Sequence, residues 1–518
     1  MLHAANQIRN TLEQRNTYCY KNIDYNNQIR VLKIFPGRPG TPIHCCLIPC
    51  KLFEQTANSS LKISDSVPYA ALSYFWGNDE PEEEIRVFAT EGGYYEWRKK
   101  DMRGVMLQTT MVSCLLIRTN LHNALQQLRS EKDPVVLWAD ALCINQRNVL
   151  ERTAQVSRMH DVYTQAERVC IWLGKGKEPD NKRTFEFLNK ILDLYELEQV
   201  VQRLKDKKAD STWLDDKLDC KKTLDLMGAE WFRRRWVIQE LALARSAFVL
   251  FGSQEMPWLD FADAIALFMT KFDQIKLAFP ASTDYVVSRQ SNDNYIKSLD
   301  ARALGANVLV TATSNLFRKS SSGQVIQRLL SLELLVSSML LVFEATDPRD
   351  TVFAVLQIAK DISTHHRHTR LRACRGSLQS YAPYMLVITL IVWLLSRMLV
   401  KAIFGDVASS KSKCKIDKRI EANYRKCLRD VCADFIEYCI EDSKSLDIIC
   451  RHWAPIPKPS ALSPQMQMPS WILPIGGNAF GRPDQVRKGR VNGDSFVGPE
   501  KGGYYTASGT LTPQIEFG

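Results

Sequence analysis

The stretch VVLWADALCINQRNVLERTAQVSRMHDVYTQAERVCIWLG, residues 135–174, changes its hydrophobic period twice, and those changes decide the fold class. Val135 to Ala139 is a continuous apolar run closed by Asp140, the pattern of a strand buried on both faces. A polar turn containing Asn145 follows. From Asn148 the period becomes helical: Asn148 and Glu151 are spaced as a capping box, and Val156, Met159, Tyr163 and Ala166 fall on one face. The spacing predicts a helix over 149–166. Arg168 to Leu173 is a second strand, stopped by Gly174. Strand, helix and strand in this order make a right-handed βαβ unit, the element of a parallel sheet.

The flanks extend this unit. Upstream, 29–34 (IRVLKI) and 69–75 (YAALSYF) read as strands, and the acidic run Asp79 to Glu84 reads as a solvated loop. Downstream, a charged helical region covers about 180–208, Trp231 to Trp236 leads into a helix over 236–245, and 246–251 (SAFVLF) is another strand. The expected fold is α/β, a mainly parallel, doubly wound sheet over residues 1–260. A helical extension, 261–360, carries an apolar helix at Leu329–Phe343 and a helix opening at Asp347-Pro348. A basic insertion, 361–420, contains the apolar segment 382–404. Residues 421–518 hold a helix, Cys427–Cys439, and a turn-rich β part.

The composition, 45% apolar and 24% charged, is that of a folded globular protein. Fourteen cysteines without a C-x-x-C pair give no support to a zinc cluster or redox motif, and the polar N-terminus lacks a secretory apolar core. A reducing, cytoplasmic location is the consistent expectation. Thirteen Lys/Arg against four Asp/Glu between Asp361 and Lys426 account for nine of the net +11 charges, so no basic face for nucleic acid is indicated. The patterns of P-loop nucleotide triphosphatases, G-x-S-x-G hydrolases and H-E-x-x-H metalloproteases are absent, and Gly174-Lys175-Gly176 lacks the further glycine of a dinucleotide fingerprint. No metal or resident cofactor is expected.

Three blocks together resemble the fungal heterokaryon-incompatibility (HET) family. They are Tyr69-Ala-Ala-Leu-Ser73-Tyr-Phe-Trp76-Gly77; Leu137-Trp-Ala-Asp140-Ala-Leu-Cys-Ile-Asn145-Gln146 with Glu151-Arg152 and Trp172-Leu-Gly174; and Trp231-Phe-Arg-Arg-Arg235-Trp236-Val-Ile-Gln239-Glu240. Phe75 stands where many relatives have valine. The similarity continues at Asp347 to Ala354 and resumes near Tyr424, Pro469-Ser470-Trp471 and Asn492 to Ser495. Residues 361–420 are unlike the family, and the ending at Thr512 to Gly518 falls early, as an insertion, retained intron or truncated gene model would give. More distantly, Trp236-Val-Ile-Gln-Glu240 is similar to the W-C-x-x-E helix of Toll/interleukin-receptor (TIR) domains, with Val237 in place of cysteine. That resemblance implies a TIR-like or flavodoxin-like sheet and a glutamate of the kind that serves NAD-cleaving members.

Read as chemistry, Asp140 stands at the carboxyl end of a parallel strand, where open α/β sheets bind ligands. Equally, Asp140 and Asn145 are residues that build turns. Glu240 has two roles open to it: ion-pair partner of Arg233, Arg234 or Arg235, or stabiliser of the cation that develops when a bond to ribose breaks. Trp76, Trp138, Trp172 and Trp236 read as core anchors more readily than as a ligand wall. Ser73, Trp76, Gly77, Asn145, Gln146, Glu151, Arg152, Arg235, Trp236 and Gln239 complete the candidates for a binding or structural motif.

Two functions follow from the resemblance: a cell-death effector of non-self recognition that acts through self-association or a protein partner, or an enzyme for which NAD is the substrate. A third, a membrane-tethered scaffold, comes from 382–404, whose uncharged stretch Ala382–Ser396 reaches spanning length if Arg397 and Lys401 snorkel. The flanking charges do not orient it.

Overall fold

The structure is a computed structural model that describes residues 17–52, 67–101, 112–206, 211–279, most of 303–362, 420–455 and a few positions from 469 to 474. One compact unit takes residues 1–361 and 420–518; a second takes 362–419 and, but for Ile362, lies outside the described residues.

The centre of the first unit is a nine-stranded sheet. Its strands are β1 (Gln28–Ile34), β2 (Ile43–Lys51), β3 (Ala70–Tyr74), β4 (Glu83–Phe88), β5 (Val112–Ile117), β6 (Val135–Trp138), β7 (Val169–Trp172), β8 (Ala247–Phe251) and β9 (Gln254–Pro257), in the order β5-β4-β2-β1-β6-β3-β7-β8-β9. The four strands that the apolar runs predict are neighbours, β6-β3-β7-β8, and all pair in parallel. β7 is buried along its whole length, as a strand covered on both faces must be. The rest of the sheet is mixed. β1 is antiparallel to β6 and β2, β4 is parallel to β2 and antiparallel to β5, and β9 turns back antiparallel on β8.

Around the sheet lie α1 (Glu91–Asp101), α2 (Thr119–Leu128), α3 (Asp140–Cys143), α4 (Val149–Ser157), α5 (Met159–Gln165), α6 (Asp180–Ile191), α7 (Leu194–Asp206), α8 (Ser211–Met227), α9 (Trp236–Ala242), α10 (Trp258–Thr270), α11 (Asp350–Phe353) and α12 (Leu428–Ser443). The helix expected over 149–166 is two helices broken at Arg158. The break has a partner: with the Gln239 amide turned to the orientation its neighbours require, its side-chain carbonyl accepts the His160 N–H at 3.0 Å and its NH2 donates to the Ala354 carbonyl at 3.0 Å. A side chain thus takes a backbone donor that an unbroken helix would use internally. Asn148 caps α4 as its spacing predicts, accepting from Leu150 N and Glu151 N.

Other expectations shift. The helix expected over 236–245 ends at Ala242. In the described part of Leu329–Phe343, where an apolar helix is expected, the chain makes one turn, Leu332–Leu334, that widens into a π-type turn, Leu335–Met339. The acidic run ends inside a strand, because β4 starts at Glu83. Among the described residues no helix is long and apolar enough to cross a membrane, and 382–404 lies outside them.

Candidate functional site

Register brings the first two sequence blocks together. Ala71 of β3 sits opposite Trp138 of β6, so Asp140, two residues further on, leaves the sheet level with Ser73. β6 and β7 flank β3 on opposite sides, so the chain leaving β3 turns first to one side and then crosses to the other. The crevice at such a crossing, outside the carboxyl ends of the strands, is where this architecture places ligands. Here Ser73 to Gly77, Asp140, Arg234 and Glu240 of α9 converge.

At the mouth, the Trp76 indole N–H donates to both oxygens of Asp140, at 3.0 and 2.9 Å, and Ala141 N donates to Asp140 Oδ1 at 2.7 Å. Gln146 Nε2 donates to the Asp140 carbonyl at 2.9 Å, so the turn is held from both sides. Gly77 follows Trp76 with φ +83°, and a Cβ there would meet Asp79 Oδ1 at 2.3 Å. Only glycine permits this turn. Asn145 serves the same loop: its Oδ1 accepts from Arg147 N, and its backbone N–H donates to Glu151 Oε1 at 2.8 Å.

Beneath Asp140, Glu240 is 1% exposed. Ser73 Oγ donates to its Oε2, and Trp231 Nε1 donates to Ser73 Oγ at 2.8 Å. Arg234 reaches Glu240 Oε1 at 3.8 Å with Nη2, donates to the Tyr74 carbonyl with Nη1, and keeps 18% of its side chain exposed. Of the three arginines open to Glu240, the structure chooses Arg234. Arg235, one of the sequence candidates, instead donates to the carbonyls of Thr351 and Phe343 at 3.2 Å.

Burial dominates the electrostatics of this pair of acids. It pushes Glu240 up to about 7, against the pull of Arg234 and the Ser73 hydrogen bond and with help from Asp140. It also raises Asp140, against Arg234, Trp76, Ala141 and Tyr74. Burial works to lower Arg234, but Glu240 and Asp140 outweigh it and the guanidinium stays charged. One cation between two acids balances their charge only while one of them keeps its proton, and burial raises both toward that state.

The remaining candidates fall elsewhere. Glu151 pairs with Arg30, both nearly inaccessible, and Arg30 also donates to the Cys143 and Lys21 carbonyls. Arg30 was not singled out from sequence, yet strand alternation puts it with the core-facing Leu32 and Ile34, which signals a need for a partner. Trp138 and Trp172 are core anchors, and Trp172 Nε1 donates to Asn120 Oδ1 at 2.9 Å. Trp236 donates to Asp350 Oδ2 at 2.9 Å; Tyr424 OH donates to Oδ1 at 2.6 Å. Burial raises Asp350 to about 6 against those two bonds. Arg152 stacks on Tyr424, with its guanidinium carbon 4.7 Å from the ring centre. Among the described residues no group of three His, Cys, Asp or Glu could hold a metal ion.

The fold and site define a mixed α/β protein with a closed acid–arginine network at the carboxyl edge of parallel strands. Residues 69–240, from Tyr69 before β3 to Glu240 itself, match the family model described as Heterokaryon incompatibility protein (HET). Over 269 residues it is 28% identical to heterokaryon incompatibility protein 6, OR allele, of Neurospora crassa, a match covering 47% of this chain and 36% of that protein. The aligned part is thus about a third of the relative's length. No solved structure matches the chain.

Proposed function

We propose that this chain is an effector of heterokaryon-incompatibility type that commits a cell to death through association, with the Asp140–Arg234–Glu240 network holding the domain's shape. The observation that carries this reading is the enclosure of Glu240 by Ser73, Trp231 and Arg234, which leaves its carboxylate no open face toward a substrate. The name of the Neurospora relative and the match over 69–240 support the incompatibility role. The test is Glu240→Gln in the full chain, expressed in a fungal cell at matched abundance. Killing at wild-type potency is expected; loss of killing in a variant at least as stable as the parent would overturn the reading.

NAD cleavage of TIR-like type is the second reading. It draws on Glu240 being raised to about 7, since strongly shifted acids gather at catalytic sites, and on the β6-β3-β7-β8 core, which is compatible with a doubly wound, TIR-like sheet. It expects Glu240→Gln to abolish NAD consumption and killing together.

A further inference from the structure

The strap that leaves β3, residues 74–79, is held from two sides. On the inner side, Arg234 Nη1 donates to the Tyr74 carbonyl, Asn120 Nδ2 donates to the Phe75 carbonyl at 2.5 Å, and the Trp76 indole N–H is shared between the two oxygens of Asp140. Beyond Gly77 the strap reaches the start of α2. The Asp79 carbonyl accepts from Arg118 Nε at 2.8 Å, and the Asp79 carboxylate accepts from Thr119 N at 3.2 Å. Arg118, at the N-cap of α2, gives that helix no side-chain cap, so Asp79 supplies the acceptor from another part of the chain.

Exposure rises along the strap. Ser73 and Tyr74 are buried, Phe75 to Gly77 are half-buried, and Asn78 to Glu80 are exposed. Trp76 stands at the boundary, with the guanidinium carbon of Arg118 5.9 Å from its ring centre. One arginine thus touches both the ring and the Asp79 carbonyl.

Trp76 can leave Asp140 without orphaning a buried group. Its indole N–H passes to water, while Asp140 keeps Ala141 N, at 2.7 Å, and the Tyr74 hydroxyl. Arg234 keeps the Tyr74 carbonyl and Glu240, and Glu240 keeps Ser73. A contact whose loss leaves every buried donor and acceptor satisfied is one that opens locally, since the large penalty attaches to unsatisfied groups. Gly77, at φ +83°, supplies the pivot.

We propose that Trp76 is a plug over Asp140 that swings on Gly77, and that the contact of Asp79 with Arg118 and Thr119 is the latch that keeps it shut. The structure holds the closed state. In the open state Asp140 faces the crevice while Glu240 stays enclosed, so a molecule entering there meets Asp140 first. The device requires neither association nor catalysis and therefore stands apart from both functional readings.

Hydroxyl-radical footprinting of the full chain, read by mass spectrometry at each tryptophan, tests this. Asp79 is on the surface, so Asp79→Ala should melt close to the parent, yet the oxidation rate of Trp76 should rise severalfold. Trp138 and Trp172, which are fixed in the core, should keep the parent's rate. Asp79→Asn retains an oxygen that can accept the Thr119 N–H and should restore most of the protection of Trp76. A Trp76 rate unchanged by Asp79→Ala, a rise shared by Trp138 and Trp172, or an Asp79→Asn variant as reactive as Asp79→Ala would each overturn the latch.

Discussion

Glu240 shows how magnitudes decide between an ion pair and a buried acid. Its arginine is 3.8 Å away, beyond hydrogen-bond reach, so the pair does not repay the loss of water and the carboxyl is raised from 4.5 to about 7. The folded state therefore holds this proton more tightly than the unfolded chain does. The stability associated with the proton is fully present below about pH 4.5 and declines as pH rises to about 7, by roughly 3 kcal/mol for a shift of this size. Glu240→Gln imitates the protonated form and should remove that slope. Thermal melts of variant and parent from pH 4.5 to 8 should diverge increasingly in the variant's favour; parallel curves would show that Glu240 is not the group that titrates. Sequence could reduce the partner to Arg233–Arg235 but not choose among them. The choice depends on the backbone around the 3-10 turn Glu230–Arg233, which aims consecutive arginines in different directions.

At the scale of elements, α9 is pinned at both ends by acids that lie far apart in sequence. Glu240 ties it to β3, and Trp236 ties it to Asp350, which Tyr424 holds in turn. Tyr424→Phe removes one hydrogen bond to a carboxylate in a buried place and should cost about 1–3 kcal/mol, read as a lower melting temperature. Because α9 also supports α5 through Gln239, Gln239→Ala should leave the His160 N–H without its acceptor and speed hydrogen exchange in 158–165, with β1 unaffected. The kink at Arg158 was illegible in the sequence because the apolar face runs through it unbroken. The signal was in the third block, whose buried glutamine has no use in a helix that packs by apolar contact alone.

Across the whole molecule, the parallel centre was legible because β6, β3, β7 and β8 are apolar runs that announce two-sided burial. Of the flanking strands, β1 was legible as the run 29–34, whereas β2, β4, β5 and β9 were not. β4 opens with Glu83-Glu84 at the end of an acidic run, which hides the short alternation from Glu84 to Val87, and β5 has an exposed Leu116 that breaks the alternation of a half-buried strand. β2 is broken in pattern by Pro49, which lies opposite Arg30.

The placement of β1 and β2 bears on where the folding unit begins. The family match spans 69–240, yet β1 and β2, residues 28–51, stand between β4 and β6 in the sheet. Excised alone, the matched segment would leave β5-β4 and β6-β3-β7 as separate ribbons, each with a bare inner edge, and Glu151 with no arginine. The segment that matches the family model and the unit that can be cut out as a stable object are therefore different. A fragment of residues 69–240 should fail to give a cooperative melt, and supplying residues 17–68 as a separate peptide should bind it by completing the gap from within, much as a missing stave closes a cask.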